Sequence, residues 1–484
     1  MSGQYTSADG YISSRARSVL SAPPNSINIS CIIATRPPMN VPLRDRYKGV
    51  LLACVFIITF CIKSITLPTK DVQTDPDSIT YQYLAIPNLP KERLYRQQRP
   101  PVFPIYLYFI HSMFKANESQ IYLIANRTLS SLSIVLLVII AYQFTHSFAI
   151  AMVTFALLMM NLQTSQFDIT LNPEAFAAFL LIVYIYAVTH VRHESFLYTV
   201  SLFFLISLLI FTKPIFIYLI PISYIFLICT APKKTNTIVI TISTVVSIGF
   251  LLFYSFLNGV FYNHAALSSV SSINLAGKLL QYNLAQYGPT HQKYQPVKST
   301  LLATGEYQDI YWRLPILYRQ TPKEISPFTL LSEYSTLTIL HKLPQYALAS
   351  INEVIPIITS IPMSFNTNNG IYISGLSSTH LTRAYSHTYD SIFSLIKQYI
   401  YHGMMITTLL NVIAIIIFND KLSIKLLFIN SVLWSHILIM SVTAYSEYAR
   451  IQSPITNLLL VYILVVFYVF LKHLKRLSRP LYVL

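Results

Sequence analysis

The sequence predicts an all-α polytopic membrane protein with about ten transmembrane helices, in a range of roughly nine to thirteen. Three observations predict this class. Hydrophobic residues make up 54% of the 484-residue chain, and charged residues make up only 11%. A soluble domain carries about 25% charged residues. The mean hydropathy is +0.53, and apolar stretches recur along most of the chain.

The apolar stretches divide the chain into five regions. We expect a flexible cytoplasmic tail at 1–48, where serine, proline and asparagine are frequent and no periodicity is visible. An N-terminal transmembrane catalytic module (49–259) with an outer loop (67–120) precedes an extracytoplasmic loop region (260–396), the C-terminal transmembrane helices (397–471) and a basic cytoplasmic tail (472–484). The predicted spans lie near 49–66, 121–145, 147–164, 174–190, 195–212, 214–230, 236–258, 397–418, 422–443 and 453–471.

The basic residues of the short connections predict the orientation. RDRYK at 44–48, Arg192, the pair Lys233 and Lys234, the pair Lys421 and Lys425, and KHLKRLSR after the last span all fall on one side if the spans alternate. The positive-inside rule makes this side cytoplasmic, with both termini inside. The regions 67–120 and 260–396 then lie outside the membrane.

Two outer segments are expected to lie along the membrane surface. PVFPIYLYFIHSMF at 101–114 is too short to cross, since a span needs about 20 residues, so we predict an interfacial helix there. The region 260–396 is long enough for helices that lie on the membrane and cover a cavity.

Composition excludes several other classes. The net charge is +16, but the lysines and arginines lie in tails and between apolar stretches, which indicates membrane orientation and not a nucleic-acid partner. The four cysteines form no CxxC pair or Cys/His cluster, and we predict no disulfide framework and no zinc site. No Walker loop, GxGxxG or GxSxG motif occurs, and no cofactor is expected to be required.

Charged residues at the outer boundary are the candidates for chemistry. An arginine can hold phosphate oxygens, a lysine can neutralise a leaving phosphate, and a carboxylate can accept a proton from an attacking hydroxyl. Each residue also has a structural explanation: a helix cap for Asp77, a favourable helix dipole for Glu174, a snorkelling side chain for Lys213, and headgroup contacts for Arg99 and Arg450. Their placement on one face favours a site for a lipid-linked phosphate or phosphosugar.

The order of these motifs resembles a known superfamily. PDSITYQYLA and RPPVFPIYL are followed by IANRTLSSLSIVLL, TLNPEAFAAFLL, FTKPIFIYLIP and SEYARIQSPITNLLLVY. This order is similar to that of the GT-C integral membrane glycosyltransferases, in the branch of protein O-mannosyltransferases and lipid A aminoarabinose transferases. The resemblance covers roughly 49–260 and 397–471. It implies a GT-C-like helical bundle.

The resemblance also implies roles for individual residues. Asp77 matches the catalytic aspartate of the first outer loop, with Asp75 as the alternative because DPD leaves a two-residue ambiguity of register. LNPE carries one residue more than the usual leucine-polar-acidic spacing. The resemblance gives the catalytic residues as Asp77, Asp75 and Glu174, and the phosphate-binding residues as Arg450, Lys213, Arg99 and Tyr448. Asp75 and Asp77 could also hold a divalent metal ion.

The function that the resemblance implies is transfer of a hexose or pentose, with inversion, from a polyprenyl-phosphate carrier to a hydroxyl. The acceptor can be a glycan, a lipid or a protein, and membrane lipids surround the site. We expect a bacterial inner membrane. Two alternatives stay open: an O-antigen-type polymerase or ligase that uses diphosphate-linked glycans, and a flippase or transporter of lipid-linked sugars. The scarcity of glycine and the placement of the charges at one face favour the transferase.

Overall fold

The computed structural model describes residues 45–66, 72, 81, 99–114, 117–190, 196–230, 234–303, 310–322, 325–360, 380–418, 421–445 and 448–477. The chain divides into two units, 1–50 and 51–484, and only 45–50 of the first unit is described. Two of the predicted catalytic residues, Asp75 and Asp77, lie outside the described residues. The other candidate site residues belong to the second unit.

The regular structure of the described residues is helical, which confirms the predicted all-α class. The α-helices are α1 (Asp45–Thr66), α2 (Val102–Met113), α3 (Glu118–Thr145), α4 (Phe148–Met160), α5 (Glu174–His190), α6 (Phe196–Thr212), α7 (Leu219–Thr230), α8 (Lys234–Tyr262), α9 (Val270–Gln281), α10 (Gln295–Leu302), α11 (Ile310–Gln320), α12 (Pro327–His341), α13 (Leu343–Asn352), α14 (Val354–Thr359), α15 (His380–Phe418), α16 (Lys421–Thr443) and α17 (Tyr448–Leu477). Short 3₁₀ helices lie at Leu162–Asp168, Pro214–Tyr218, Ala285–Tyr287 and Gln292–Tyr294.

The predicted spans coincide with apolar helices. Among the described residues, 5 helices are long and apolar enough to cross a membrane: Glu118–Thr145, Thr237–Tyr262, Leu395–Phe418, Leu422–Thr443 and Arg450–Lys475. The other predicted spans correspond to shorter apolar helices at Gly49–Ile65, Phe148–Met160, Glu174–His190, Phe196–Thr212 and Pro214–Thr230. The chain is therefore a polytopic membrane protein, and the crossing of each shorter helix stays a prediction.

The main core lies where α3, α5, α6, α16 and α17 pack together. Its fully buried members include Leu137, Leu181, Ile206, Val432 and Leu459, one from each of these helices. α5 reads EAFAAFLLIVYIYAVTH and is apolar on every side, which is typical of a helix surrounded by others. Its first residue, Glu174, is the one charged group that this helix brings into the bundle.

The loop region 260–396 folds into helices with a core of their own. α9, α11 and α12 supply Ile273, Leu317 and Leu331 to it, and all three side chains are fully buried. The predicted short helix at 101–114 is present as α2, whose Phe103 and Leu107 are buried in a small cluster with other aromatic residues. The loop region and α2 flank the same end of the bundle, at which the charged residues lie.

Candidate functional site

A cavity of about 230 Å³ lies at the end of the bundle where α5 and α17 begin and where α6 and α16 end. Three groups of residues form its walls. Charged side chains line one part, apolar residues of 214–217 and α16 line another, and polar residues of α9 and α11 line the third. The described lining includes Tyr81, Arg99, Glu174, Lys213, Pro214, Ile215, Ile217, Ser268, Ser271, Asn274, Tyr311, Ile439, Tyr445 and Arg450.

Glu174 is the central carboxylate of the cavity. It is the first residue of α5 and follows Pro173, and a negative charge is favourable at a helix N-terminus. Its side chain is only 1% exposed. A buried carboxylate needs charged partners or hydrogen bonds, because removal from water disfavours the ionised form.

Lys213 provides the first of these partners. It lies between α6 and the 3₁₀ helix Pro214–Tyr218, with an extended backbone of the kind that a following proline imposes. Lys213 Nζ donates a hydrogen bond to Glu174 Oε1 over 2.9 Å. Because its ammonium contacts Glu174, Lys213 is part of the cavity and does not extend away from the bundle to reach headgroups.

Arg450 provides the second partner. It lies in the first turn of α17, and its Nε is 3.3 Å from the same oxygen, Glu174 Oε1. Lys213 and Arg450 thus converge on one carboxylate oxygen from two different elements. The other oxygen, Glu174 Oε2, has no hydrogen-bond partner among the described residues. The cations therefore contact one oxygen of the carboxylate, while the other oxygen is buried.

Arg99 belongs to the same cavity. It is buried, and its guanidinium carbon lies 5.3 Å from the ring centroid of Tyr81, which also lines the cavity. The charged residues of the described lining are therefore three cations (Arg99, Lys213 and Arg450) and one carboxylate (Glu174), a net charge of 3 − 1 = +2. Cations that converge in this way favour an anionic ligand such as a phosphate.

A smaller cavity, of about 30 Å³, lies on the other side of Glu174. It is lined by a buried ion pair between Lys63 of α1 and Asp168, with Lys63 Nζ 2.8 Å from Asp168 Oδ2. Ser130 Oγ donates to the same carboxylate oxygen over 2.7 Å. A space of this size holds about two water molecules. Glu174 lines both cavities and therefore lies between them.

The structure brings together four of the predicted site residues: Arg99, Glu174, Lys213 and Arg450 all line one cavity. It places Tyr448 elsewhere, since the Tyr448 hydroxyl accepts a hydrogen bond from Lys278 Nζ over 2.9 Å and is not part of the described lining. Asp75 and Asp77 lie outside the described residues, although Tyr81, four residues after Asp77, lines the cavity.

Sequence reasoning missed two buried ion pairs beside this site, Lys63–Asp168 and Lys278–Glu353. The first had a signal, because a lysine inside an otherwise apolar span is expensive unless it has a partner. The second had none, since Lys278 and Glu353 lie 75 residues apart and nothing in the sequence indicates which charged residues of the loop region meet. The described residues contain no group of three or more His, Cys, Asp or Glu side chains placed to hold a metal ion.

Comparison with known proteins gives distant structural similarities. No family model matches the sequence, and no curated protein matches it. The chain is similar to the archaeal oligosaccharyltransferase AglB from Archaeoglobus fulgidus, solved with an inhibitory peptide and a dolichol-phosphate, at a TM-score of 0.44 and 13% identity. The match covers 89% of this chain and 52% of AglB, so the chain spans about half the length of that protein.

A second similarity is to ArnT from Cupriavidus metallidurans, solved with undecaprenyl phosphate, at a TM-score of 0.31 and 12% identity. This match covers 85% of this chain and 78% of ArnT. Both proteins are GT-C membrane glycosyltransferases. The TM-scores and identities describe a distant likeness.

Proposed function

We propose that the chain is a membrane glycosyltransferase that moves a sugar from a polyprenyl-phosphate carrier to a hydroxyl acceptor at the extracytoplasmic face. The observation that carries the proposal is the cavity in which Lys213 and Arg450 share one oxygen of the buried Glu174 carboxylate. With Arg99, they give the described lining three cations and one carboxylate, which favours an anionic phosphate and the negative charge that grows on it as the bond to the sugar breaks.

The apolar part of the cavity supports a lipid-linked donor. Pro214, Ile215 and Ile217 form one wall, and Ile217 is 42% exposed on the outside of the bundle. An isoprenoid chain can lie against these residues while its phosphate reaches Lys213, the residue immediately before them. A water-soluble nucleotide sugar has no apolar chain to place against these residues.

The proposed reaction is a single displacement with inversion. The acceptor oxygen attacks the anomeric carbon, and the bond between that carbon and the phosphate oxygen breaks with its electron pair on the phosphate. Asp77, or Asp75 if the register is shifted by two, accepts the proton of the acceptor hydroxyl. Arg450, Lys213 and Arg99 stabilise the charge that grows on the leaving phosphate.

The proposed sidedness has support from the lysines at the opposite end of the bundle. Lys425 donates to the carbonyl oxygen of Thr189 near the end of α5, and Lys472 donates to that of Thr145 at the end of α3. The cavity lies at the start of α5. The lysine-rich end, which the positive-inside rule makes cytoplasmic, is therefore the end away from the cavity.

The test is transfer by purified protein in lipid, with polyprenyl-phosphate sugars as donors. We expect Asp77→Asn to reduce turnover by about 10²–10⁴-fold, the usual range for loss of a general base. Arg450→Gln should raise the donor KM. Lys293→Met, which breaks an exposed ion pair with Glu333 away from the cavity, is the matched control and should leave both constants unchanged.

Two results would contradict the proposed function and support a different one. Consumption of diphosphate-linked glycans but of no monophosphate donor would indicate a polymerase or ligase. Movement of lipid-linked sugar across sealed vesicles, without any glycosylated product in detergent, would indicate a flippase.

A further inference from the structure

A polar cluster built around the buried Lys278 lies beside the cavity and takes no part in the proposed reaction. Lys278 of α9 is fully buried, and its Nζ donates hydrogen bonds to Glu353 and to the Tyr448 hydroxyl, the latter over 2.9 Å. Gln281 also donates to Glu353, and the Tyr282 hydroxyl lies 2.7 Å from Glu353 Oε2. Burying a lysine costs free energy even when it is paired, so stability alone does not explain the cluster.

The cluster connects the loop region to the first turn of α17. Tyr448 is the first residue of α17, and its hydroxyl is 3.2 Å from Glu353 Oε2. One turn further along, Gln452 Nε2 donates to the carbonyl oxygen of Ile357 over 2.5 Å. Residues four apart lie on one face of a helix, so Tyr448 and Gln452 hold the same face of α17 against the stretch 353–357.

Arg450 lies on the opposite face of that turn. Each helical residue advances by about 100°, so Arg450 points about 200° away from Tyr448. The face that carries Tyr448 and Gln452 meets the loop region, and the other face meets Glu174. Fixing the first face fixes the rotation of the turn about its axis, and that rotation decides where the Arg450 guanidinium lies.

The loop region also holds the end of α16. The hydroxyl of Tyr346 donates to the carbonyl oxygen of Val442, and the hydroxyl of Tyr282 lies 3.1 Å from the carbonyl oxygen of Ser441. These carbonyls belong to the last turn of α16, which has no further helical N–H groups to accept from. The helices on both sides of the short link 444–447 are therefore held by the same few loop residues.

We propose that Lys278, through Glu353 and Tyr448, is a positioning residue for Arg450. It holds the first turn of α17 in the rotation that aims the Arg450 guanidinium at the phosphate of the donor. This role rests on the proposed function, because it gives Arg450 a phosphate to bind. Lys278 itself is not part of the described lining of the cavity, and its ion-pair partner is Glu353.

The test is a double-mutant cycle on the donor KM and on the affinity for a polyprenyl phosphate without sugar. We expect Lys278→Met to raise the donor KM about tenfold in the wild-type background, with a smaller change in kcat. In the Arg450→Gln background the same substitution should change the KM by less than about twofold, because the residue that it positions is gone. Lys278→Arg should recover most of the lost affinity.

Controls separate this role from general destabilisation. Tyr448→Phe removes one hydroxyl and keeps the ring. It therefore tests the same connection in a variant that retains the Lys278–Glu353 pair. This variant should also raise the donor KM only when Arg450 is present. Lys293→Met removes a lysine of the same loop region from an exposed ion pair and should have no effect.

Each outcome has a distinct meaning. Equal effects of Lys278→Met in both backgrounds, or no effect in the wild-type background, would overturn the positioning role and leave the proposed function intact. If Arg450→Gln alone left donor KM and phosphate affinity unchanged, both the positioning role and the assignment of Arg450 to phosphate binding would be wrong.

Discussion

At the scale of single residues, the contacts of the Glu174 carboxylate with its neighbouring cations determine how the cavity can bind a phosphate. Two cations contact Glu174 Oε1, while Oε2 has no hydrogen-bond partner among the described residues. The carboxylate therefore has two effects on a phosphate ligand. It holds Lys213 and Arg450 close together, and it also neutralises part of their charge.

Replacement of Glu174 by glutamine separates these effects. The net charge of the described lining would change from +2 to +3, because the one carboxylate among its charged residues is lost. We expect polyprenyl phosphate to bind roughly tenfold more tightly, about 1.4 kcal/mol, and turnover to fall because the product is retained. Equilibrium binding of labelled polyprenyl phosphate measures this. Weaker binding would show that Glu174 acts mainly by orienting the two cations.

Lys278 gives a second prediction, on pH. Burial lowers the pKa of the Lys278 ammonium, and the hydrogen bond and charge of Glu353 oppose this shift. The other groups that face it are the hydroxyls of Tyr282 and Tyr448, whose pKa values are raised by burial, so they stay protonated. As pH rises, Lys278 should lose its proton before an exposed lysine, whose pKa is about 10.4.

The expected result is an alkaline rise in the donor KM that begins below the usual range for lysine. In Lys278→Arg the rise should move to higher pH, since a guanidinium stays charged. The check is the donor KM measured from pH 7 upward for the wild-type protein and for Lys278→Arg. Identical dependence on pH in the two proteins would mean that Lys278 does not cause the rise.

At the scale of elements, the approach of α9 to the link after α16 depends on Gly277. A Cβ atom placed on Gly277 would lie 2.3 Å from Cγ of Tyr445, a residue of the cavity wall. Such a distance is impossible for packed atoms, and Cγ is the rigid base of the ring. Only glycine lets α9 pack this closely against the Tyr445 ring.

Gly277→Ala should therefore displace the Tyr445 ring and narrow the cavity. Overpacking of this kind typically costs about 1–3 kcal/mol, and we expect activity to fall at least about tenfold. Gly249→Ala in α8 is the matched control, because nothing lies within 4 Å of the added methyl group and alanine favours the helix. Thermal unfolding and transfer assays on both variants test this, and equal behaviour of the two would contradict it.

At the scale of the whole molecule, the sequence predicts more of the fold than of the connections within it. Apolar stretches mark the helices because a membrane requires long apolar segments, and α3, α8 and α15–α17 follow from that requirement. Glu174, Lys213 and Arg450 could be predicted to lie near one another because each lies at a helix end on the same predicted face, and all three line one cavity.

Such reasoning does not identify which charged residues form the ion pairs. Lys63 and Asp168 are 105 residues apart, and their contact depends on how α1 packs beside the 3₁₀ helix Leu162–Asp168. Hydrophobic periodicity says which residues are buried but not which two buried charges meet. The position of Tyr448 was missed for the same reason, since its partners Lys278 and Glu353 come from the loop region.

The Lys63–Asp168 pair gives a prediction for global stability, because it ties α1 to the bundle. Both side chains are almost fully buried, at 4% and 1% exposure. Asp168→Asn should lower the unfolding free energy by about 3–5 kcal/mol, since it leaves a buried lysine without its counter-charge. The double variant Lys63→Met, Asp168→Leu should recover much of this loss. Thermal unfolding in detergent measures both, and equal losses in the two variants would argue against an electrostatic cause.

The short helices beside the site have a consequence for the surrounding lipid. α5 and α6 each contain 17 residues and are therefore about 26 Å long, less than the roughly 30 Å of a bilayer's hydrocarbon layer. If they cross as the sequence predicts, the bilayer thins beside them or their polar ends sink below the headgroups. Glu174 and Lys213 stand at those ends, so a carrier's phosphate would have to be drawn inward to meet them. The thickness of the host membrane would then set part of the cost of loading the donor, and a thicker bilayer would slow an otherwise unchanged protein.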